Sequence, residues 1–226
     1  MRVKVLRQVS PGSKPYWETF EYDGPQTNSV GGVLDYLNYH DDIIDINGRK
    51  TTRIGWECSC LQGMCGSCAM VINGKPALAC SEFIDTAETK ELVLEPLSVF
   101  PVICDLMVDR SIIDEHQKLA LMFLGERTKP DAAEHEQQYL AAKCLKCGLC
   151  LEVCPNYAGN GGKFFGALFA DEAYLLHSST ADRRKEIAKE YRKHFERWCS
   201  KSLSCREVCP MKIQTLSSIG YMNRKI

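Results

Sequence analysis

The stretch Cys60-Leu-Gln-Gly-Met-Cys65-Gly-Ser-Cys68, with Cys80 following after eleven further residues, decides the reading of the first half of this chain. Three cysteines at x4 and x2 spacing with a distant fourth form the plant-type arrangement for a 2Fe-2S cluster. The cluster needs deprotonated, convergent thiolates, so a tight loop must curl around inorganic sulfide. Gly63 and Gly66 permit that close approach and its unusual dihedrals. Backbone N–H groups of such a loop donate to cluster sulfur and help set the potential. Structural zinc is the competing use of four thiolates, but it favours paired Cys-x2-Cys knuckles over this triplet.

On either side of the loop the pattern is that of a small mixed sheet. Ala69 to Ile72 and Pro76 to Ala79 flank Asn73-Gly74, the signal for a two-residue type I′ hairpin in which both turn residues take positive φ. That hairpin returns the chain so that Cys80 can meet the other three sulfurs. Upstream, Val3 and Val5 share one strand face, and Tyr16, Phe20 and Tyr22 lie opposite Trp17, Thr19 and Glu21 on a second strand. Val30, Val33, Leu34 and Leu37 recur at i, i+3, i+4 and i+7, which predicts a helix with one buried stripe. Glu91 to Leu94 reads as a last strand, and Glu95 to Asp109, with Pro96 and Pro101, as a connector. Sheet and helix together predict a β-grasp over residues 1–104.

The second half, residues 105–226, carries two further runs, Cys144-x2-Cys147-x2-Cys150-x3-Cys154-Pro155 and Cys199-x5-Cys205-x3-Cys209-Pro210. The first is the bacterial cubane run with its proline. The second repeats it with Ser202 where a cysteine is due. In two-cluster ferredoxins the fourth cysteine of each run crosses to the other cluster. Cys144, Cys147, Cys150 and Cys209 are thereby expected on a 4Fe-4S cluster, which leaves Cys154, Cys199 and Cys205 for the other site. A neutral hydroxyl at Ser202 is a far poorer iron ligand than a thiolate, so that site is expected to hold a 3Fe-4S cluster. Two zinc sites would not explain a crossed, proline-terminated repeat.

Helical spacing dominates this half: Ile112, Ile113, His116, Leu119 and Phe123 form one stripe, Ile187, Tyr191 and Phe195 another, and a short helix is expected from about Ile213 to Arg224. Gly159-Asn-Gly-Gly162 reads as a loop, since Phe164 follows Lys163 where a phosphate-binding loop needs Ser or Thr. The expected fold class is α+β, a β-grasp 2Fe-2S ferredoxin domain followed by an α-helical dicluster domain.

Eleven of the 13 cysteines belong to these runs; Cys58 and Cys104 are read as non-ligands. His40, His116, His135, His177 and His194 show no paired metal spacing and none is a catalytic candidate. With 28 Lys and Arg against 29 Asp and Glu, the net charge of -1 over 226 residues gives no reason to expect nucleic acid. No apolar stretch approaches the roughly 20 residues of a membrane span, and the start Met1-Arg-Val-Lys-Val-Leu has no apolar leader region. Clustered cysteines without a secretory signal point to metal ligation in a reducing compartment, on the cytoplasmic side.

Cys60-Leu-Gln-Gly-Met-Cys65-Gly-Ser-Cys68-Ala-Met, Asn73-Gly-Lys-Pro, Pro101-Val-Ile-Cys-Asp-Leu-Met-Val-Asp109 and both later runs resemble the iron-sulfur subunit of succinate dehydrogenase and fumarate reductase, the complex II family, over essentially the whole chain. The resemblance implies a conductor between a separate FAD-bearing subunit and a membrane anchor that handles quinone, often through b haem. The implied order is flavin, 2Fe-2S, 4Fe-4S, 3Fe-4S, then membrane, with the chain peripheral on the cytoplasmic face. No Gly-x-Gly-x-x-Gly follows a strand here, so the dicarboxylate site belongs to another chain. Some relatives carry Asp at the position of Cys68, and Cys104 stands where the family usually has Arg. The Trp and His that wall a quinone pocket in one branch are replaced by Gly159 and Ser200, which implies the dihaem branch. A soluble subunit of another flavoprotein reductase, without a quinone anchor, is the alternative.

Overall fold

The computed structural model describes residues 1–40, 42–129, 132–159 and 161–226, and the chain divides into two compact units, Met1–Asp109 and Arg110–Ile226. The first contains β1 (Arg2–Arg7), β2 (Tyr16–Glu21), β3 (Thr27–Ser29), α1 (Val30–Tyr39), β4 (Ile43–Ile44), β5 (Lys50–Thr51), β6 (Ala69–Ile72), β7 (Lys75–Leu78), β8 (Phe83–Asp85), β9 (Glu91–Glu95), β10 (Val102–Cys104) and β11 (Met107–Val108). Its main sheet runs β2-β1-β9-β6-β7, with β1 antiparallel to β2 and parallel to β9. Val3, Val5, Leu92 and Leu94 are fully buried on it, and α1 turns Val30, Val33 and Leu34 inward, also without exposure. Ser29 caps α1 by accepting from the Gly32 amide at 3.0 Å. Asn73 and Gly74 take φ of 48° and 76°, the left-handed pair that a type I′ turn requires.

Two expectations for this unit are corrected. Tyr16 is exposed although Phe20 and Tyr22 are buried, because it opens the edge strand opposite Arg7. The proposed connector contains the β10–β11 hairpin, turned at Asp105 with φ of 50°. Its Asp105 accepts from the Gln8 amide at 2.9 Å and the Gly55 amide at 2.8 Å. The hairpin therefore belongs to the first unit, and the division falls after Asp109 and not after Cys104.

Asp105 also anchors a buried ion-pair network. Arg7 is 2% exposed; its Nε lies 2.9 Å from Asp105 Oδ1, and its NH1 donates to Glu18. NH2 donates to the Thr52 hydroxyl and to the Thr52 and Arg53 carbonyls. Those carbonyls open the segment that leads to Cys60.

The second unit comprises α2 (Ser111–Leu119), α3 (Ala132–Ala141), α4 (Leu149–Glu152), α5 (Ala167–Ser179), α6 (Arg184–Tyr191), a π-helical turn over Arg192–Glu196, α7 (Ser204–Val208) and α8 (Thr215–Asn223). Helix α5 packs on α3, α6 and α8, while α4 packs on α7. Gly166 starts α5 at φ of 82°, where a Cβ would collide with Leu151 of α4. Ile187, Tyr191 and Phe195 are buried as expected. The α2 stripe holds only in its first part: Ile113 and His116 are buried, whereas Leu119 and Phe123 are 71% and 55% exposed, since α2 ends at Leu119 and Leu121 turns left-handed. Phe123 instead stacks under the Arg183 guanidinium, 3.6 Å from its ring centre. His116 and His194 sandwich Phe165 at 3.8 Å on each face. Burial pushes His116 down to about 4, so both packing and charge mark it as a neutral core residue. Asn160 of the Gly159–Gly162 loop lies outside the described residues.

Candidate cluster sites

The loop between β5 and β6 brings the first cysteine set together. Cys68 and Cys80 are buried with their sulfurs 3.3 Å apart. Gly63 and Gly66 take φ of 72° and 80°, and Leu61 takes 52° without being glycine. The curl turns amides onto sulfur: Gln62 and Met64 donate to Cys60 at 3.4 and 3.3 Å, and Gly63 donates to Cys80 at 3.2 Å. The Ser67 hydroxyl and amide hold the Cys65 thiol down at about 6, whereas burial pushes Cys68 up to about 12. A positive metal centre favours the thiolate form of such a buried cysteine.

In the second unit Cys144, Cys147, Cys150 and Cys209 line one pocket, with Pro210, Ile213, Leu168, Asp171 and Cys205 around them. Lys146 and Leu149 amides bond the sulfurs of Cys144 and Cys147. Lys146 takes φ of 51° and Gly148 of 87°, so successive N–H groups face inward. Burial first, then the charges of Asp171, Cys147 and Cys209, raises Cys144 to about 11. Cys154, Cys199 and Cys205 form a second electrostatic group: burial and then Cys154 and Cys199 raise Cys205 to about 11, and Cys154 in turn feels Cys199. The two groups touch at Cys205, which also lines the first pocket and acts on Cys150. Ser200 ties the second run to the third through Asn156 at 2.5 Å.

An amide two residues on bonds the sulfur of Cys60, Cys65, Cys144, Cys147 and Cys154. Among the described residues Cys58 and Cys104 receive no such bond; Cys58 is exposed, and Cys104 sits against Asp105. The left-handed Leu61, Lys146, Lys201, Leu203 and Lys212, all inside or beside the cysteine runs, carried no sequence signal because none is Gly, Asn or Asp. Asp171 was missed as well; a lone acid in a helix gives no motif. Among the described residues no three His, Cys, Asp or Glu side chains converge tightly enough to hold a single metal ion.

Residues 2–115 match the 2Fe-2S iron-sulfur cluster binding domain and residues 130–212 the 4Fe-4S double cluster binding domain. The succinate dehydrogenase iron-sulfur subunit of Bacillus subtilis (strain 168) is 32% identical over 99% of this chain and 91% of its own length. The chain belongs to the succinate dehydrogenase iron-sulfur subunit family. It is an electron-transfer subunit with a 2Fe-2S domain and a 4Fe-4S double-cluster domain. An uncharacterized iron-sulfur protein of Methanocaldococcus jannaschii is 30% identical over 93% of this chain, which spans 41% of that protein. The fold is that of a chain in the Mycobacterium smegmatis Sdh1 complex in the apo form, at TM-score 0.75 and 24% identity over 99% of this chain and 94% of that one. A hypothetical protein from Helicobacter pylori superposes at TM-score 0.54 and 16% identity, over 99% of this chain and 39% of that one. No helix among the described residues is long and apolar enough to cross a membrane.

Proposed function

We propose that this chain relays electrons between a flavoprotein subunit that interconverts succinate and fumarate and a membrane anchor, through 2Fe-2S, 4Fe-4S and 3Fe-4S clusters in that order. Cys60 and Cys65 hold one iron of the 2Fe-2S cluster and Cys68 and Cys80 the other, a pairing supported by the short Cys68–Cys80 separation. Cys144, Cys147, Cys150 and Cys209 hold the 4Fe-4S cluster, and Cys154, Cys199 and Cys205 the 3Fe-4S cluster. The observation that supports the crossed assignment is the shared pocket of Cys209 with the Cys144–Cys150 run, from which Cys154 and Cys199 are absent; Cys205 also lines it but is raised foremost by Cys154 and Cys199 after burial. When bound, the clusters supply one-electron transfer; the chain supplies thiolates, amide donors to sulfur and a dry surround. The chain sits peripherally on the cytoplasmic face.

This reading expects about nine irons per chain and three distinct EPR signals, from clusters of two, four and three irons. Cys58→Ser and Cys104→Ser leave all three signals intact. Iron near six, or loss of the 2Fe-2S signal in Cys58→Ser, overturns the ligand set. Co-purification with a haem-bearing membrane subunit is the expected result, and its failure would favour a soluble partner in place of the anchor.

Quinone reacts away from this chain, with the 3Fe-4S cluster delivering electrons to b haem in a dihaem anchor. Support comes from the surface beside Cys199: Ser200 is engaged with Asn156, and the indole N–H of Trp198 is spent on the Lys193 carbonyl at 2.9 Å. Neither offers a donor to a quinone oxygen. Larger side chains at Gly159 and Ser200 therefore leave the quinone KM unchanged relative to dye-linked turnover. A selective rise in quinone KM with normal haem reduction places quinone here instead.

A further inference from the structure

Asp171 is the one acid that lines the sulfur pocket of the second unit, among its described residues. It projects from α5, is 4% exposed, and accepts from the Thr215 hydroxyl of α8 at 2.8 Å. The Ser218 hydroxyl gives it a second, looser contact. Its charge acts on the sulfurs of Cys144, Cys150 and Cys205, raising each thiol. No lysine or arginine pairs with it in the structure among the described residues.

The hydrogen bond that ties α5 to α8 does not need a charge. An asparagine carbonyl would accept from Thr215 equally well, without the cost of burying an anion beside thiolates. What the carboxylate adds is negative potential in a poorly screened interior, where a unit charge acts far more strongly than in water. Reducing a cluster adds one electron to it. A fixed negative charge at the same pocket opposes that step.

We propose that Asp171 is a tuning residue that lowers the midpoint potential of the 4Fe-4S cluster and, more weakly, that of the 3Fe-4S cluster reached through Cys205. The inference rests on the ligand reading above. It assigns α5 a role in setting how hard the middle site is to reduce, in addition to packing the helices.

The test is an EPR-monitored redox titration of the full chain loaded with its clusters, at about pH 8, above the value of about 6 to which burial pushes the Asp171 carboxyl. Iron, acid-labile sulfide and the three signals are measured first. If the wild type lacks the 4Fe-4S signal, the ligand reading has failed, and the tuning role falls with it for that separate reason. With the signals present, Asp171→Asn is expected to raise the 4Fe-4S midpoint, to raise the 3Fe-4S midpoint less, and to leave the 2Fe-2S midpoint in place. Asp171→Glu, which restores the charge, returns the value toward wild type. Unmoved midpoints with full cluster content overturn the proposal and leave Asp171 a packing residue. Should Asp171→Asn fail to hold its clusters, Thr215→Val decides: it removes a donor that stabilises the carboxylate, so the 4Fe-4S midpoint moves, downward while the less screened charge persists and upward if the carboxyl takes up a proton. No shift there also overturns the proposal.

Discussion

Ser202→Cys is expected to convert the three-iron cluster into a cubane, with iron rising from about nine to about ten per chain. Ser202 lies exposed in the Cys199–Cys205 loop between two left-handed residues, Lys201 at φ of 59° and Leu203 at 67°. That curl is the counterpart of the Lys146 turn after Cys144. It presents position 202 where the bacterial run has its second cysteine, and the serine hydroxyl meets only Ser204 at 3.4 Å. A fourth thiolate adds negative charge, so the new cluster sits at lower potential and electron flow onward to quinone slows while dye-linked turnover persists. EPR of the oxidised protein reads this directly: the three-iron signal disappears. Its persistence in the variant would show that Ser202 does not occupy the open corner.

Breaking the Arg7 network is expected to have the largest effect on stability. Arg7→Ala leaves the Asp105 and Glu18 carboxylates without their cation, with side-chain exposures of 2% and 12%. Removing one partner of such a buried pair costs about 3–5 kcal/mol. The loss falls on the first unit, because Arg7 joins β1 to the 52–53 segment and Asp105 joins the β10–β11 hairpin to β1. Urea unfolding followed by the 2Fe-2S visible band measures it. A midpoint within experimental error of wild type would show that the network merely decorates a core that Val3, Val5 and Leu94 already hold. Replacing Arg7 by Met together with uncharged isosteres at Asp105 and Glu18 should recover much of the loss, since apolar replacement of a buried ion cluster is often neutral.

The 2Fe-2S and 4Fe-4S double-cluster domains were legible because thiolate chemistry forces fixed spacing, and the hairpin at Asn73-Gly74 because only a few residues tolerate its dihedrals. Packing periodicity served equally well at Val30–Leu37 and at Ile187–Phe195, where every stripe residue is core. It failed at Leu119 and Phe123 because periodicity carries no stop signal: Leu121 ends the helix by a backbone turn that leucine rarely takes. The β10–β11 hairpin escaped notice because two prolines in a short segment mimic a linker. Arg7 and Asp105 are 98 residues apart in sequence, and a lone arginine at the end of a strand reads as a solvated charge until the fold closes over it. Asp171 hid in the same way inside a helix.

The shared pocket of Cys209 with the Cys144–Cys150 run has a consequence for how the second unit is made and lost. A cluster held by both segments is a covalent staple across some sixty residues of chain, comparable to a disulfide closing a loop of that size, which restricts the unfolded ensemble by about 4 kcal/mol. On the proposed ligand set two such staples would cross between α4 and α7 and support each other, because releasing one frees the segment that carries ligands of the other. Metal loading and folding of this unit would then be a single cooperative event, and oxidative loss of one cluster is expected to empty the second and expose the helices to proteolysis, so damaged copies would be cleared whole instead of persisting as partial conductors.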